Sequence, residues 1–315
     1  MDTINKTQVR EFVFSGLTDN GELAPFLFMV FLHVYMVTVV GNIGMMVIVH
    51  ISSNLHTPMY FFLSYLSLVD VYYSSVITPK MLSDLFSMTK AISFIGCALQ
   101  FIFFAALICT ECLLLANMAY DRYAAICHPL HYVSLMTKNI CMYLVVLDFS
   151  IGFMQSFVLT SCVFSLQFCG SNLIDHFYCD VPPLLQLSCS DTFSCVMEAV
   201  SFVVSCALGP FLVILISYIF IITSILRMKS AEGRRKAFST CSSHLTCVSV
   251  FYVTIFFTYL RSPSNVLKKQ NKMTSVLYTV LTPLLNPFIY SLRNQEVKRA
   301  IRRILGGRYN MCRES

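Results

Sequence analysis

Three acidic residues lie inside long apolar stretches of the sequence. Asp70, Glu111 and Asp148 each have no Lys or Arg close to them in the chain. An ionised carboxyl group is costly in an apolar environment, so an acid inside a membrane segment usually has a functional role. Asp70 and Glu111 need a proton, water or a bound cation. We interpret Asp148 as a neutralised or inward-facing residue.

Two further groups of residues could switch between states. Asp121 and Arg122 are neighbours at the end of an apolar run, so Asp121 can hold the guanidinium of Arg122 in one state and release it in another. Pro287 removes a backbone donor from its helix and leaves carbonyl groups that polar neighbours or water must satisfy. A helix kinked there, with Tyr290 below the kink, can have two arrangements. A simple interfacial anchor and a static kink are the alternatives.

These residues lie within or at the ends of seven apolar segments. The chain has 315 residues, of which 57% are hydrophobic and 12% are charged, whereas a soluble domain has roughly a quarter charged residues. The gaps between charged residues are long enough for helices that need about 20 apolar residues to cross a bilayer. We predict an all-α integral membrane protein, a seven-transmembrane helix bundle, rather than a large soluble helical protein. Its helices are predicted at 25–49, 58–79, 93–122, 140–164, 197–226, 238–260 and 273–292.

The distribution of basic residues predicts the orientation of the bundle. With the N-terminus outside, the cytoplasmic segments hold 14 of the 22 Lys and Arg residues but four of the 16 acidic residues, in agreement with the positive-inside rule. The net charge of +6 is therefore a topology signal, and because the basic residues form no continuous patch we expect no nucleic-acid partner. The predicted units are an extracellular tail 1–24, the bundle 25–292 and a cytoplasmic tail 293–315.

Three segments outside the spans have features of their own. Residues 293–305 place apolar residues at helical spacing among basic ones, which predicts an amphipathic helix on the anionic inner leaflet; a solvated tail is the alternative. The second extracellular loop, 165–196, is too long for a simple connection and is a candidate lid. Asn5 begins an N-glycosylation sequon in the predicted outer tail.

Cysteines outside the spans are candidates for disulfide bonds. The chain has 14 cysteines, and those inside the spans are expected to be small apolar fillers. Cys97, Cys169, Cys179 and Cys189 fall on the predicted outer side, which is oxidising. Their connectivity cannot be deduced from spacing. His176 lies among them, but we expect no metal site there.

Four stretches of the chain resemble the signatures of the odorant receptors. Two of them lie near the starts of helices 2 and 6, and two lie at the ends of helices 3 and 7. These receptors are rhodopsin-like G-protein-coupled receptors, and the resemblance covers essentially the whole chain. The four stretches are LHTPMYFFLS at 55–64, MAYDRYAAIC at 118–127, KAFSTCSSHL at 236–245 and PLLNPFIYSLRN at 283–294. The chain departs from the family at Asp148 and Phe149, where the family usually has Ser-Trp, and this puts the packing and surface expression of helix 4 in doubt.

The resemblance implies a function and a set of site residues. It implies a receptor that binds a small, mostly apolar volatile odorant in the outer half of the bundle and activates a stimulatory olfactory G protein, raising cyclic AMP. It also implies disulfides Cys97–Cys179 and Cys169–Cys189, and a possible sodium ion at a polar pocket of Asn42, Asp70, Glu111 and Asn286. The implied ligand-binding residues are Phe104, Ala105, Ile108, Cys109, Cys112, Phe202, Val203, Cys206, Ala207, Tyr252, Ile255, Phe256, Tyr259 and Thr279. The implied coupling residues are Asp121, Arg122, Tyr123, Tyr218, Arg234, Arg235, Lys236, His244, Asn286, Pro287 and Tyr290.

Other function classes are weaker alternatives. A non-olfactory rhodopsin-like receptor would lack the helix 2 and helix 6 signatures, and an amine receptor usually has an acid where Phe104 stands. A channel or transporter is disfavoured because no internal repeat is visible. No residue set indicates an enzyme or a metal site. The expected location is the plasma membrane, in the cilia of olfactory sensory neurons.

Overall fold

In the residues that the structure describes, the chain forms a bundle of seven long helices followed by a short one. The computed structural model describes residues 9–18, 20–259, 272, 275–293 and 296–303. In this part of the chain the long helices are α1 (Ala24–Ile51), α2 (Pro58–Asp84), α3 (Phe94–Cys127), α4 (Lys138–Phe164), α5 (Phe193–Arg227), α6 (Ala231–Tyr259) and α7 (275–293), and the short one is α8 (296–303). The predicted seven-helix fold class is confirmed.

The helices are built to lie in lipid. Five of them, α1 to α5, are long and apolar enough to cross a membrane, and α6 contains a shorter apolar stretch, Cys241–Phe256. An α-helix satisfies its own backbone hydrogen bonds, which lipid cannot do. Large apolar side chains such as Phe26, Tyr143 and Phe220 are exposed on the outside of the bundle. This exposure would be costly in water and is what a lipid-facing surface requires.

Several helices extend beyond the predicted segments because apolar content marks only the part of a helix that lies in lipid. α6 begins at Ala231 rather than at 238, since its first turns are polar. α2 continues to Asp84 and α3 to Cys127. Local signals agree with the observed starts: Pro58 is in the first turn of α2, and the Ser93 hydroxyl accepts a hydrogen bond of 3.0 Å from the Gly96 amide at the start of α3.

A three-stranded sheet covers one end of the bundle, which we call the sheet end. Strand β1 (Glu11–Phe14) lies between β2 (Ala91–Ser93), to which it is antiparallel, and β3 (Leu173–Ile174), to which it is parallel. Alternate side chains of β1, Phe12 and Phe14, are buried against the bundle. Residues 1–24 are therefore not simply a tail, because part of this segment is a central strand. The opposite end, where α3 finishes, is called the Arg122 end.

Three disulfides fasten the long loop and the helices at the sheet end. Cys97–Cys179 joins the start of α3 to the loop, and Cys169–Cys189 closes the loop on itself, as the resemblance implied. A third disulfide, Cys162–Cys195, joins the end of α4 to the start of α5. The expectation that span cysteines are only apolar fillers is wrong for Cys162, because the last turn of α4 faces the first turn of α5, with 5.6 Å between the two Cα atoms.

Gly152 allows α4 to lie very close to α3. A Cβ atom at this position would be 2.6 Å from Thr110 Oγ1 and 2.7 Å from the Ala106 carbonyl oxygen. The second contact is with helix backbone, which cannot move aside as a flexible side chain can. Gly44 on α1 differs, because an added Cβ there would meet nothing within 4 Å.

We expect Gly152→Ala to destabilise the bundle by about 1–3 kcal/mol, the usual range for overpacking a tight contact. Gly44→Ala is the matched control and should be neutral or stabilising, since alanine favours helix and meets no neighbour there. Thermal unfolding midpoints of the purified proteins in detergent would measure both effects. Equal midpoints for the two variants would contradict the close approach of α3 and α4.

Candidate functional site

An apolar cavity of about 160 Å³ lies in the half of the bundle nearest the sheet end. Helices α3 and α5 form most of its wall, and α4, α6 and the long loop complete it. Ten of the predicted ligand-binding residues line it, namely Phe104, Ala105, Ile108, Cys109, Cys112, Phe202, Val203, Cys206, Ala207 and Ile255. The structure thus brings the predicted faces of α3 and α5 together around one space.

Three predicted ligand-binding residues, Tyr252, Phe256 and Thr279, are not among the described residues that line this cavity. Tyr252 and Phe256 pack against Phe211, with ring centroids 4.9 and 5.5 Å from its own. The Tyr252 hydroxyl donates a hydrogen bond of 3.3 Å to the Ala207 carbonyl oxygen. Thr279 is buried and donates to the Ser275 carbonyl at 2.7 Å. The side chain of Tyr259 lies outside the described residues.

The backbone of α5 changes its winding beside the cavity. Val204–Leu208 form a π-helical segment, which inserts an extra residue into the turn and is frequent at functional sites. Cys206 and Ala207, both in this segment, are buried and face the cavity. Pro210 follows directly after this segment, and because it lacks an amide hydrogen it interrupts the regular hydrogen-bond pattern of α5 there.

Sequence reasoning missed the contribution of the long loop to the cavity. Asp180, Val181 and Pro182 line it, because the disulfide at Cys179 holds the loop against α3. Gln100 on α3 reinforces this position, since its Oε1 accepts a hydrogen bond of 3.0 Å from the Cys179 amide. The signal available in the sequence was the position of Asp180 directly after a cysteine expected to be bonded to α3.

Asp180 is the charged residue of the cavity lining, and it is 5% exposed. Its Oδ1 accepts a hydrogen bond from the Val181 amide at 2.8 Å, and its Oδ2 accepts one from the Tyr178 hydroxyl at 3.1 Å. Burial raises the pKa of Asp180 to about 6, although these two hydrogen bonds oppose the shift. The carboxyl group therefore changes charge within the range of ordinary buffers.

Other loop contacts close the cavity from the sheet end. Lys272 lies 2.6 Å from the Asp175 carboxylate and 2.6 Å from the Ser15 hydroxyl, so it joins the loop to the segment that follows β1. His176 is buried beside it, with Nε2 3.2 Å from the Ser275 hydroxyl. Burial lowers the pKa of His176 to about 3, so its imidazole is neutral. No group of three or more possible metal ligands occurs among the described residues.

The predicted polar pocket lies at the centre of the bundle. Asn286 Nδ2 donates to both carboxylate oxygens of Asp70, at 3.2 and 2.9 Å. Glu111 is buried close enough for its charge to repel that of Asp70, and its Oε1 has no hydrogen-bond partner among the described residues. Two buried acids with one amide between them are an oxygen-rich site that favours a proton or a cation.

Asn42 compensates for the proline in α7. Pro287 lacks the amide hydrogen that would bond to the carbonyl of Pro283. Asn42 Nδ2, on α1, donates to that carbonyl at 3.0 Å. The expectation that a polar neighbour satisfies the interrupted backbone is confirmed. Gly41 permits the close approach, because a Cβ there would lie 3.3 Å from Pro287 Cγ.

At the Arg122 end, one histidine joins three helices. His244 Nε2, on α6, is 3.2 Å from the Leu115 carbonyl oxygen of α3, and the Tyr218 hydroxyl of α5 is 2.7 Å from His244 Nδ1. Because the carbonyl can only accept, we assign the proton to Nε2, and Tyr218 then donates to Nδ1. This bridge holds α5 and α6 against α3.

The Asp121–Arg122 pair lies beside this bridge. Arg122 Nε is 3.6 Å from Asp121 Oδ2, and the hydroxyl of Tyr132 donates to Asp121 Oδ1 at 2.7 Å. Burial and the neighbouring carboxylate raise the pKa of Tyr132, which keeps it a donor. Tyr123 is hydrogen-bonded to His128 at 3.0 Å.

The remaining predicted coupling residues are divided between the surface and the interior. Arg234 and Arg235 are exposed in the first turns of α6, Tyr290 is buried in α7, and the side chain of Lys236 lies outside the described residues. Exposed basic residues therefore lie at the same end of the bundle as the hydrogen-bonded bridge between α3, α5 and α6. When that bridge opens, this basic surface can contact a partner.

Comparisons with known proteins agree with this geometry. A sequence profile described as olfactory receptor matches residues 31–308. Olfactory receptor 5AP2 of Mus musculus is 55% identical over 96% of this chain and 95% of its own length. Olfactory receptor 5B21 of Homo sapiens is 53% identical over 97% of this chain and 98% of its own. The chain belongs to the olfactory receptor family. It is therefore an odorant receptor and a multi-pass membrane protein, and it is not an enzyme.

The departure of this olfactory receptor at helix 4 has a structural explanation. Asp148 is buried and faces inward, where its Oδ2 accepts a hydrogen bond of 2.7 Å from Asn117 Nδ2. Phe149 is half-buried and packs against the core. The acid is thus accommodated by an amide on α3, as the inward-facing interpretation requires.

We expect the receptor to lose stability as the pH rises through the pKa of Asp180. The folded state raises this pKa from 3.8 to about 6, so it favours the neutral acid. The stabilising contribution is complete below pH 4 and is lost as the pH passes 6, by at most about 3 kcal/mol. Asp180→Asn has no such proton, so the thermal midpoint of the parent protein should fall relative to that of the variant as the pH rises from 4.5 to 7.5. A constant gap would contradict a buried, titrating Asp180.

Proposed function

We propose that this olfactory receptor binds a small, uncharged volatile compound in the cavity between α3, α5 and the long loop. The observation that carries the proposal is the apolar cavity of about 160 Å³, with Asp180 at one edge. A protein cavity of about 150 Å³ accommodates benzene, so the favoured ligands have one ring or a short chain. Burial of apolar surface supplies most of the affinity, and a single polar group on the ligand can bond to Asp180.

We further propose that the sheet end faces outward and that the Arg122 end meets a stimulatory olfactory G protein. The excess of basic residues in the segments at the Arg122 end supports this orientation. Ligand that binds the open arrangement more tightly shifts the population towards it. The Tyr218–His244–Leu115 bridge then breaks, and Arg122, Arg234, Arg235 and Lys236 contact the G protein. Cyclic AMP rises as a result.

Asn5, outside the described residues, is the proposed glycosylation site, and the cilia of olfactory neurons are the proposed location.

A cell assay with matched variants tests the ligand and coupling proposals together. Cells that express the receptor and the olfactory G protein would be exposed to a panel of small volatile compounds, with surface staining and cyclic AMP recorded. We expect a dose-dependent rise that Ala105→Phe removes, because the larger ring fills the cavity. Leu99→Phe, which adds bulk on the exposed side of α3, should leave the response unchanged.

The same assay separates coupling from ligand binding. Arg122→Ala should abolish the cyclic AMP response while surface staining remains, whereas Arg227→Ala, an exposed basic residue at the same end of the bundle, should retain it. A full response from Ala105→Phe would exclude the proposed cavity. A full response from Arg122→Ala would exclude the proposed coupling site.

We also propose that a sodium ion binds beside Asp70 and Glu111. The unpartnered Glu111 Oε1 and the Asp70 carboxylate supply oxygen ligands of the kind that a hard cation prefers. Such an ion would stabilise the resting bundle through mass action. We expect the thermal midpoint to rise by a few degrees when sodium chloride replaces choline chloride, and Asp70→Asn to remove this rise. Equal midpoints in the two salts would favour a shared proton instead.

A further inference from the structure

We propose that an anionic phospholipid binds in a continuous groove formed by α1, α7 and α8, with its headgroup among the residues that join α1 to α2. The site is separate from the odorant cavity, and the proposal does not depend on the identity of the odorant. Three sets of observations support it: an apolar groove, a basic cavity adjoining it, and the continuity between them.

The apolar part of the site is a groove of about 460 Å³ on the lipid-facing side of α1. Met36, Val40, Gly44 and Ile48 line it from α1 at helical spacing. Its opposite wall consists of α7, with Pro287, Phe288 and Ser291, and of Ile301 from α8. The groove exists because Gly41 and Gly44 have no side chain, and at Gly44 nothing lies within 4 Å of the position of a Cβ. Its shape and apolar lining suit an acyl chain.

The polar part of the site is a second cavity, of about 410 Å³, at the Arg122 end. Arg299 and Arg303 line it from α8, and Ser52, Ser53 and Asn54 line it from the connection after α1. Glu296 also lines it and forms an ion pair of 2.8 Å with Arg299. Arg303 has no hydrogen bond or ion pair among the described residues, so its charge is available to an anion. Hydroxyl and amide groups opposite an arginine are suitable partners for a phosphate or carboxylate headgroup.

The residues that line the two cavities are close in sequence on both α1 and α8. Ile48 lines the apolar groove, and Ile51, one turn further along α1, lines the basic cavity. On α8, Ile301 lines the groove and its neighbour Ala300 lines the basic cavity. Val297 and Ala300 are buried against the bundle, so α8 is held in a position where Arg303 can lie over the end of the groove. A molecule that fills both cavities must have an apolar chain and an anionic head, and both features are united in an anionic phospholipid.

The absence of tryptophan from the chain makes a direct test possible. Phe288→Trp places a single fluorophore in the groove, five residues from the end of α7. Tyr143→Trp places one on the exposed face of α4, five residues from the end of that helix on the same side of the bundle. Each full-length protein would be reconstituted in mixtures of phosphatidylserine and phosphatidylcholine, with either lipid brominated on its acyl chains. Quenching of the fluorophore then reports which lipid is in contact.

We expect phosphatidylserine to be preferred over phosphatidylcholine by about fivefold or more at Phe288→Trp, the factor that one basic residue near a membrane surface can provide. Tyr143→Trp should show little preference. Adding Arg303→Gln to the Phe288→Trp protein should remove the preference. Arg302→Gln, an exposed arginine on the same helix that does not line the cavity, should leave it unchanged.

Three outcomes would overturn the proposal. Equal quenching by the two lipids at Phe288→Trp would mean that a neutral lipid or a sterol occupies the groove. If Tyr143→Trp shows the same preference for phosphatidylserine as Phe288→Trp, the basic end of the protein attracts anionic lipid in general and no defined site exists. The same conclusion follows if Arg302→Gln removes the preference as fully as Arg303→Gln. Should Arg303→Gln fail to fold, Gly44→Leu provides a second variant, because its side chain extends into the groove. It should reduce quenching at Phe288→Trp by both lipids, and unchanged quenching would also contradict the site.

Discussion

The backbone polar groups inside this bundle must be satisfied by the protein or by enclosed water, because lipid offers no hydrogen-bond partner. The effect is clearest at Pro287, which leaves the Pro283 carbonyl without a backbone partner until Asn42 of α1 donates to it. That bond brings α1 against α7 at the place where Gly41 permits contact. The residue before Pro287, Asn286, donates to Asp70 of α2. One interrupted turn of helix therefore determines how three helices meet.

The same constraint explains the contrast between the two halves of the bundle. In the half nearest the sheet end, the long loop is held over an apolar cavity by disulfides and by the ion pair of Lys272 with Asp175. In the other half, polar side chains bridge the helices. Tyr218, His244 and the Leu115 carbonyl form a chain of neutral hydrogen bonds across α5, α6 and α3. A change in the cavity can reach this bridge because α3, α5 and α6 contribute to both.

The sequence predicted the features that depend on local composition and left out those that depend on distant partners. Seven apolar segments were visible, yet the start of α6 was placed late because Ala231–Ala237 is helical outside the apolar part. Strand β1 was missed since its partners are two and three residues long and lie far along the chain. Cys162 and Cys195 could not be paired from spacing, because their meeting depends on where α4 ends relative to α5. The family resemblance implied the lining residues of α3, whereas the rotation of Tyr252 towards Phe211 was not foreseen, because it depends on packing between two helices.

The size of the cavity limits the binding free energy that a ligand can supply to shift the bundle from its closed to its open arrangement. A ligand that fits about 160 Å³ has on the order of ten heavy atoms and can supply at most about 1.5 kcal/mol from each. Only the part of that affinity that differs between the closed and open arrangements shifts the population, and a full shift needs about 5.5 kcal/mol. Among the described side chains, the ion pair of Arg122 is with Asp121 on its own helix, and the links between helices there are neutral hydrogen bonds, each worth about 1 kcal/mol net. In the proposed mechanism, the binding free energy of a small apolar ligand therefore has to offset only neutral hydrogen bonds between the helices.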